Sequence, residues 1–313
     1  SSEADDGGLD LFQEPADFYE PEKQATFASH QLRSGKELTV RLVGHNPLWE
    51  DFVWPPTTRN ELLALFHHLH RQSDLSRPRV MRQPYATFDG FMLLHILSLN
   101  IQGHFLWNAG RTISAYLEER ADELVKGRTV LELGAGAGLP SLVCALNGAA
   151  QTVVTDYPDA DLVDNLRYNI DRCKLLPTPP TIVAEVCAYA SIADVSNIAQ
   201  GYLWGASIQD LTKHLTDKSG FDVLILADLL FNHSEHGKLI KTVELTLKKS
   251  PASRAYVFFT PYRPWLYEKD LAFFTLAKES GFAVIKTFEH VMEKVMFEED
   301  PGVCVFRKLS QRH

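Results

Sequence analysis

The stretch Glu132-Leu-Gly134-Ala135-Gly136-Ala-Gly138 carries the residue types and spacing most able to do chemistry. It follows the β-forming run Thr129–Leu133 and leads into Pro140–Leu146, which reads as a helix. A strand that breaks into a glycine loop and opens a helix suits a nucleotide-like ligand. Glycine admits positive φ and lets a ligand approach the backbone, and the helix N-terminus offers unpaired N–H groups. A second run, Gln151-Thr-Val-Val-Thr-Asp156, ends in an acid about 20 residues past the first glycine, where such folds hold ribose hydroxyls. The dinucleotide fingerprint G-x-G-x-x-G is not matched. The glycines alternate, and an acid stands two residues before the first.

Those groups need strand ends brought together, and the rest of the chain has the pattern for it. Thr181–Val186, Phe221–Ala227 and Ala255–Thr260 read as further strands. The continuous apolar run of Phe221–Ala227 suits a central parallel strand. Helices are expected over Thr112–Leu124, Asp159–Cys173, Ser234–Lys249 and Trp265–Ser280, the first with Glu118, Glu119, Asp122 and Glu123 on its wet side. Phe282–Phe288 and Val303–Arg307 read as a closing antiparallel pair. The alternation predicts a doubly wound α/β sheet, mostly parallel with a C-terminal antiparallel hairpin, holding ligands at its carboxyl ends.

Composition narrows the classes. The 313 residues carry a net charge of −9, which argues against a general nucleic-acid binder. Cys144, Cys173, Cys187 and Cys304 stand in no metal-ligand spacing and read as free thiols of a reducing compartment. The acidic start Ser1–Asp10 has no apolar run of the signal-peptide kind, and no stretch reaches the roughly 18 apolar residues of a membrane span. A soluble, cytoplasmic monomer without membrane or direct nucleic-acid contact is expected. His67, His68 and His70 cluster without a fourth ligand, so no metal is expected. His233 and His236 share a helix face without an obvious partner and read as a solvated helix start.

Residues 1–37 read as an acidic mobile lead-in and 38–49 as an N-terminal strand and loop. Residues 50–102 are atypical: no lysine occurs between Lys36 and Lys126, and Pro78 and Pro84 fall in a loop between stretches of weak periodicity. The catalytic domain is expected over 103–313.

The acid ahead of alternating glycines resembles the S-adenosylmethionine site of seven-stranded, Rossmann-like methyltransferases. Further motifs narrow the resemblance: Asn46-Pro-Leu-Trp49, Phe105-Leu-Trp-Asn-Ala-Gly110, Thr155-Asp-Tyr-Pro158, Tyr202-Leu-Trp-Gly205, Ala227-Asp-Leu-Leu-Phe-Asn232 and Thr260-Pro-Tyr-Arg-Pro264. Together they resemble the fungal protein N-terminal and lysine methyltransferases, a family also labelled nicotinamide N-methyltransferase-like, whose members act on translation elongation factor 1-alpha. The resemblance covers about residues 9–49 and 103–309. It implies S-adenosylmethionine as cofactor and elongation factor 1-alpha as protein partner. Within the site it implies that Gly134, Ala135, Gly136 and Gly138 line the cofactor, with Glu132 beside its charged groups. Asp156 would accept from the ribose, Trp204 would pack on the adenine, Trp107 would stand near the methionine end, and Ala227 would close the pocket. Asp228-Leu-Leu-Phe231 matches the acid-x-x-aromatic motif of the wider group, so that Asp228 would hold the amine while Phe231 and Tyr262 wall its channel. The alternative for Asp228 is a helix cap, since Asn232 and Ser234 also stand before a helix, but the functional role is favoured.

The resemblance breaks at Glu50–Gln102. Joining Trp49 to Gly103 would restore the family's continuous motif, so the segment is either a real insertion near the cofactor mouth or a translated intron. Composition and weak periodicity favour the intron. Two other functions fit the fold: small-molecule N-methylation, of nicotinamide for instance, and a binding module that has lost catalysis. The intact Glu132, Asp156, Trp204 and Asp228 argue against the second of these.

Overall fold

The computed structural model describes residues 25–43, 106, 108–185, 201–291 and 303–311. A small antiparallel hairpin, β1 (Phe27–Gln31) and β2 (Glu37–Arg41), stands apart from the main sheet. The main sheet has seven strands: β3 (Thr129–Leu133), β4 (Gln151–Val154), β5 (Ile182–Ala184), β6 (Val223–Ala227), β7 (Arg254–Phe259), β8 (Phe282–Val291) and β9 (Val303–Gln311). Their order is β5-β4-β3-β6-β7-β9-β8. β3 to β7 run parallel, and β9 slots antiparallel between β7 and β8. The expected mostly parallel sheet with an antiparallel C-terminal hairpin is what forms.

β6 shows why the sheet is covered on both faces. Side chains alternate along a strand, so Leu224 and Leu226 enter one core with Leu131, Leu133, Leu239 and Phe273. Val223 and Ile225 enter the other, with Ile113, Leu117, Phe258 and Phe306. In that second core the rings of Phe258 and Phe306 stack at 4.0 Å. Each fully buried side chain of this kind contributes about 2 kcal/mol.

The helices are α1 (Asn108–Glu119), α2 (Ala121–Leu124), α3 (Leu139–Leu146), α4 (Ala160–Arg172), α5 (Gln209–Thr212), α6 (His236–Thr246) and α7 (Tyr267–Glu279). Short 3-10 turns, His233–Glu235 and Pro264–Leu266, precede α6 and α7. Asp159 caps α4 by accepting from the N–H groups of Asp161 and Leu162.

Three expectations change. The helix expected over Thr112–Leu124 starts at Asn108 and breaks at Arg120. Glu118 is not on a wet face, because its Oε1 accepts from the Arg33 N–H at 3.0 Å. The lead-in drawn over residues 1–37 contains β1, whose residues Ser29, His30 and Gln31 lack the apolar alternation that marks a strand. Residues 50–102, His67, His68, His70, Trp107 and Cys187 lie outside the described residues. Cys144 and Cys304 are buried free thiols, and Cys173 is a partly buried one. Among the described residues no helix is long and apolar enough to cross a membrane, and no group of His, Cys, Asp or Glu could hold a metal ion.

Candidate active site

β4 and β6 flank β3, so the chain turns to opposite sides of β3 at the strand carboxyl ends. A crevice forms where strand order reverses in this way. It brings the β3–α3 glycine loop beside the turns after β4 and β6.

The loop takes left-handed φ at Gly134 (60°), Gly136 (56°) and Gly138 (74°). The three glycines do different work. A Cβ on Gly134 would meet Leu229 Cδ2 at 2.5 Å, and one on Gly138 would meet Leu166 Cδ2 at 2.9 Å. These two serve close packing, and Gly138 is itself buried. A Cβ on Gly136 would meet nothing within 4 Å. Open space over a partly exposed glycine backbone is what a ligand approaching the main chain requires.

Asp156 follows β4 and faces this loop. Its Oδ2 accepts from the Gly136 N–H at 2.5 Å and its Oδ1 from the Tyr157 N–H at 2.6 Å. Burial nevertheless pushes its pKa up to about 6. The Asp156 carbonyl accepts from the Tyr202 N–H at 2.8 Å, which holds the Tyr202-Leu-Trp-Gly205 segment across the end of β4. Tyr202 is buried, and Trp204 is partly exposed and packs on the main core. Glu132 is buried beneath the loop. Its Oε2 accepts from the backbone N–H of Ser141 at 2.9 Å and also from the Ser141 hydroxyl. Desolvation pushes its pKa up to about 8.

Asp228 stands directly after β6 with φ of 53°, a conformation that side-chain-bearing residues seldom take. Its Oδ2 accepts from the Ala109 N–H at 2.9 Å and its Oδ1 from the Thr260 N–H at 2.6 Å. The Tyr262 hydroxyl lies 3.4 Å from Oδ2 and 3.3 Å from the Asn108 N–H. One carboxylate thus joins the ends of β6 and β7 to the first turn of α1. The helix it caps is α1, distant in sequence, and not the helix that follows it. Burial pushes its pKa up to about 7 against these hydrogen bonds, and burial together with Asp228 pushes the Tyr262 phenol upward. Asn108 Nδ2 is buried beside this group with no hydrogen-bond partner. A buried donor left unpaired marks room for another polar group. Phe231 is partly buried, and its carbonyl accepts from Arg263 Nη2 at 2.7 Å. Ala227, the last residue of β6, is partly exposed.

The structure therefore joins Gly136 to Asp156 on one side of the crevice and Asp228 to Tyr262 on the other; Gly134 and Ala135 share the loop, Trp204 lies on the segment held by the Asp156 carbonyl, and Ala227 and Phe231 flank Asp228 in the chain. The expected solvated start of α6 is instead pinned to α7. His233 Nε2 pairs with Asp270 Oδ1 at 2.7 Å, and the buried His236 ring bonds the Leu230 carbonyl at 2.9 Å. The partner of His233 comes from α7, well beyond the helix-face spacing read from the sequence. Glu185, just past β5, was also unforeseen: it is buried and holds Lys213 at 2.7 Å and His214.

Sheet order, glycine loop and strand-end acids together are those of a Rossmann-like methyltransferase. The chain belongs to the lysine methyltransferase family, whose match spans residues 98–280. Three relatives carry the name protein N-terminal and lysine N-methyltransferase efm7. The one from Emericella nidulans is 39% identical, covering 94% of this chain and 89% of the relative. For Aspergillus fumigatus the identity is 40%, with 96% and 90% covered, and for Neurospora crassa it is 41%, with 98% and 86% covered. Solved structures are more distant: TYW2 of M. jannaschii, in complex with AdoMet, is 16% identical over 66% of this chain and 79% of that one, at a TM-score of 0.39.

Proposed function

We propose that this chain uses S-adenosylmethionine to methylate the N-terminal amine and a nearby lysine of translation elongation factor 1-alpha. The observation that carries the reading is the 39–41% identity, over nearly the whole chain, with relatives named for N-terminal and lysine methylation of proteins. The family match spans both the glycine loop and the Asp228–Tyr262 group.

The residues of the crevice fit the cofactor. The open space over Gly136 and the unpaired Asn108 Nδ2 leave room for a bound polar molecule. Gly134, Ala135 and Gly136 would border the methionine moiety, Asp156 the ribose hydroxyls and Trp204 the adenine. Ala227 would close the pocket, and Trp107 would stand at the methionine end. Glu132 and Gly138 would serve the loop from beneath, through Ser141 and Leu166. When bound, S-adenosylmethionine supplies an electrophilic methyl group on a sulfonium centre.

The chain's own task is to position the amine and to let it lose its extra proton before transfer. Asp228 would hold the arriving ammonium, and the proton would leave through water. Phe231 and Tyr262 would wall the channel. Trp265, three residues past Tyr262, leaves 67% of its surface exposed. An exposed indole on the turn after Tyr262 is of the kind that protein interfaces use as anchors. The net charge of −9 suits a basic partner. On this reading the enzyme is a cytoplasmic monomer that touches neither nucleic acid nor membrane.

Incubation of purified elongation factor 1-alpha with the enzyme and isotope-labelled cofactor, followed by peptide mass spectrometry, tests the assignment. Label is expected on the N-terminal residue and a nearby lysine. An unlabelled factor under conditions where the cofactor demonstrably binds the enzyme would overturn it.

A further inference from the structure

The β1–β2 hairpin is tied to the glycine loop through one side chain. Asn169, on α4, is 4% exposed. Its Oδ1 accepts from the Arg41 N–H at 2.7 Å, and its Nδ2 donates both to the Arg41 carbonyl at 2.9 Å and to the Ala137 carbonyl at 3.0 Å. Arg41 closes β2, and Ala137 lies between Gly136 and Gly138 in the loop. The same amide therefore grips two segments that make no strand pair with each other.

The surroundings reinforce this grip. Asn165, one helical turn earlier on α4, donates to the Arg41 carbonyl at 2.9 Å and accepts from Arg41 Nε at 2.7 Å. The Arg41 guanidinium stands 3.8 Å over the Tyr168 ring. Positions 165, 168 and 169 share one helix face, so α4 clasps Arg41 by backbone, side chain and ring together. Leu166 of the same helix packs against Gly138. Leu32, Leu38 and Val40 of the hairpin share a core with Ala137, Leu139 and Leu142 of the loop and α3. The loop is thus fixed at three points: the Ala135 N–H on the Thr155 carbonyl, the Gly136 N–H on Asp156, and the Ala137 carbonyl on Asn169.

We propose that Asn169 is a positioning residue for the cofactor loop, and that through it the N-terminal hairpin and the cofactor site are energetically coupled. The proposal rests on the cofactor reading of the loop. Coupling of this kind is reciprocal: what steadies the loop steadies the hairpin, and the converse. An unpaired buried carbonyl at Ala137 would leave the loop free to leave its ligand-ready form. The loss of one such bond corresponds to about a fivefold drop in affinity.

The test is hydrogen exchange at the amides of 27–41 and 134–139, together with calorimetry using S-adenosylhomocysteine as probe. In the wild-type protein, saturating probe should slow exchange in the hairpin as well as in the loop. Asn169→Ala should weaken the probe about fivefold to tenfold and abolish the hairpin's response, with the amine substrate's KM unchanged. Arg41→Ala keeps the backbone bonds and loses the ring contact and the bond to Asn165. It should raise exchange in hairpin and loop alike, and it serves if Asn169→Ala does not fold. Probe binding that leaves wild-type hairpin exchange unchanged would overturn the coupling, as would an Asn169→Ala affinity within about twofold of wild type. If the wild-type protein does not bind the probe at all, the cofactor reading fails first. The ligand-free variants then decide the coupling, since faster exchange in only one of the two segments rejects it.

Discussion

Asp228 illustrates how far one side chain can be used. It sits at positive φ, accepts from the first turn of a helix through a residue 119 positions earlier, and faces a phenol. With its pKa near 7, methyl transfer should rise about tenfold per pH unit below neutrality and level off above it, as the ionised form fills. Asp228→Asn should flatten that limb and slow transfer about a hundredfold, with cofactor affinity within about threefold; a pH–rate profile with parallel calorimetry checks both. The same shift has a sign for stability. The folded-state pKa lies above the ordinary 3.8, so between the two values the folded chain keeps a proton that the unfolded chain has released. Stability therefore falls as pH rises from about 4 to about 7 and then levels off. Glu132 and Asp156 act in the same direction, up to about 8 and about 6. Thermal unfolding of Asp228→Asn should show a shallower decline over that window than the wild type.

At the scale of elements, the loop glycines separate cleanly. Gly136→Ala should cost about 1–2 kcal/mol from left-handed strain alone. Gly134→Ala adds the collision with Leu229 and should cost roughly 1–3 kcal/mol more; urea unfolding of the pair measures the difference. What the sequence makes legible follows physical cause. The central strands announce themselves because they are buried on both faces and so carry continuous apolar runs, as Val223–Ala227 does. β1 does not, because only half of each residue pair meets a core. The start of α1 was hidden because its cap comes from Asp228 across the sheet. Asp159 and α4 were readable because that cap is local. In the site, Glu132, the glycines and Asp156 were visible as a spaced motif. Asn165 and Asn169 were not, although two asparagines one helical turn apart are a signal where the helix buries them, as here: such amides need partners.

At the scale of the molecule, the chain leaves the described structure after Val43 and re-enters it at Leu106. Leu42 and Leu106 belong to the same hydrophobic cluster. Reading Glu50–Gln102 as a translated intron implies that the domain folds without it. Deleting those residues, with Trp49 joined to Gly103, should leave the melting temperature within about 4 °C, equivalent to about 1–2 kcal/mol for a domain of this size. It should also leave cofactor affinity within about threefold. Loss of folding would reject the idea, and sequencing the transcript across the junction would show whether the segment is made at all.

The clasp on Arg41 also has a history within each molecule. Arg41 and Asn169 are 128 residues apart. At synthesis rates of about 5–20 residues per second, α4 emerges on the order of ten seconds after the hairpin. Until then Leu32, Leu38 and Val40 have no loop or helix to cover them. The hairpin is the first of the described elements to be made, and it waits for α4, so the nascent chain carries these apolar side chains uncovered until Arg172 has been added.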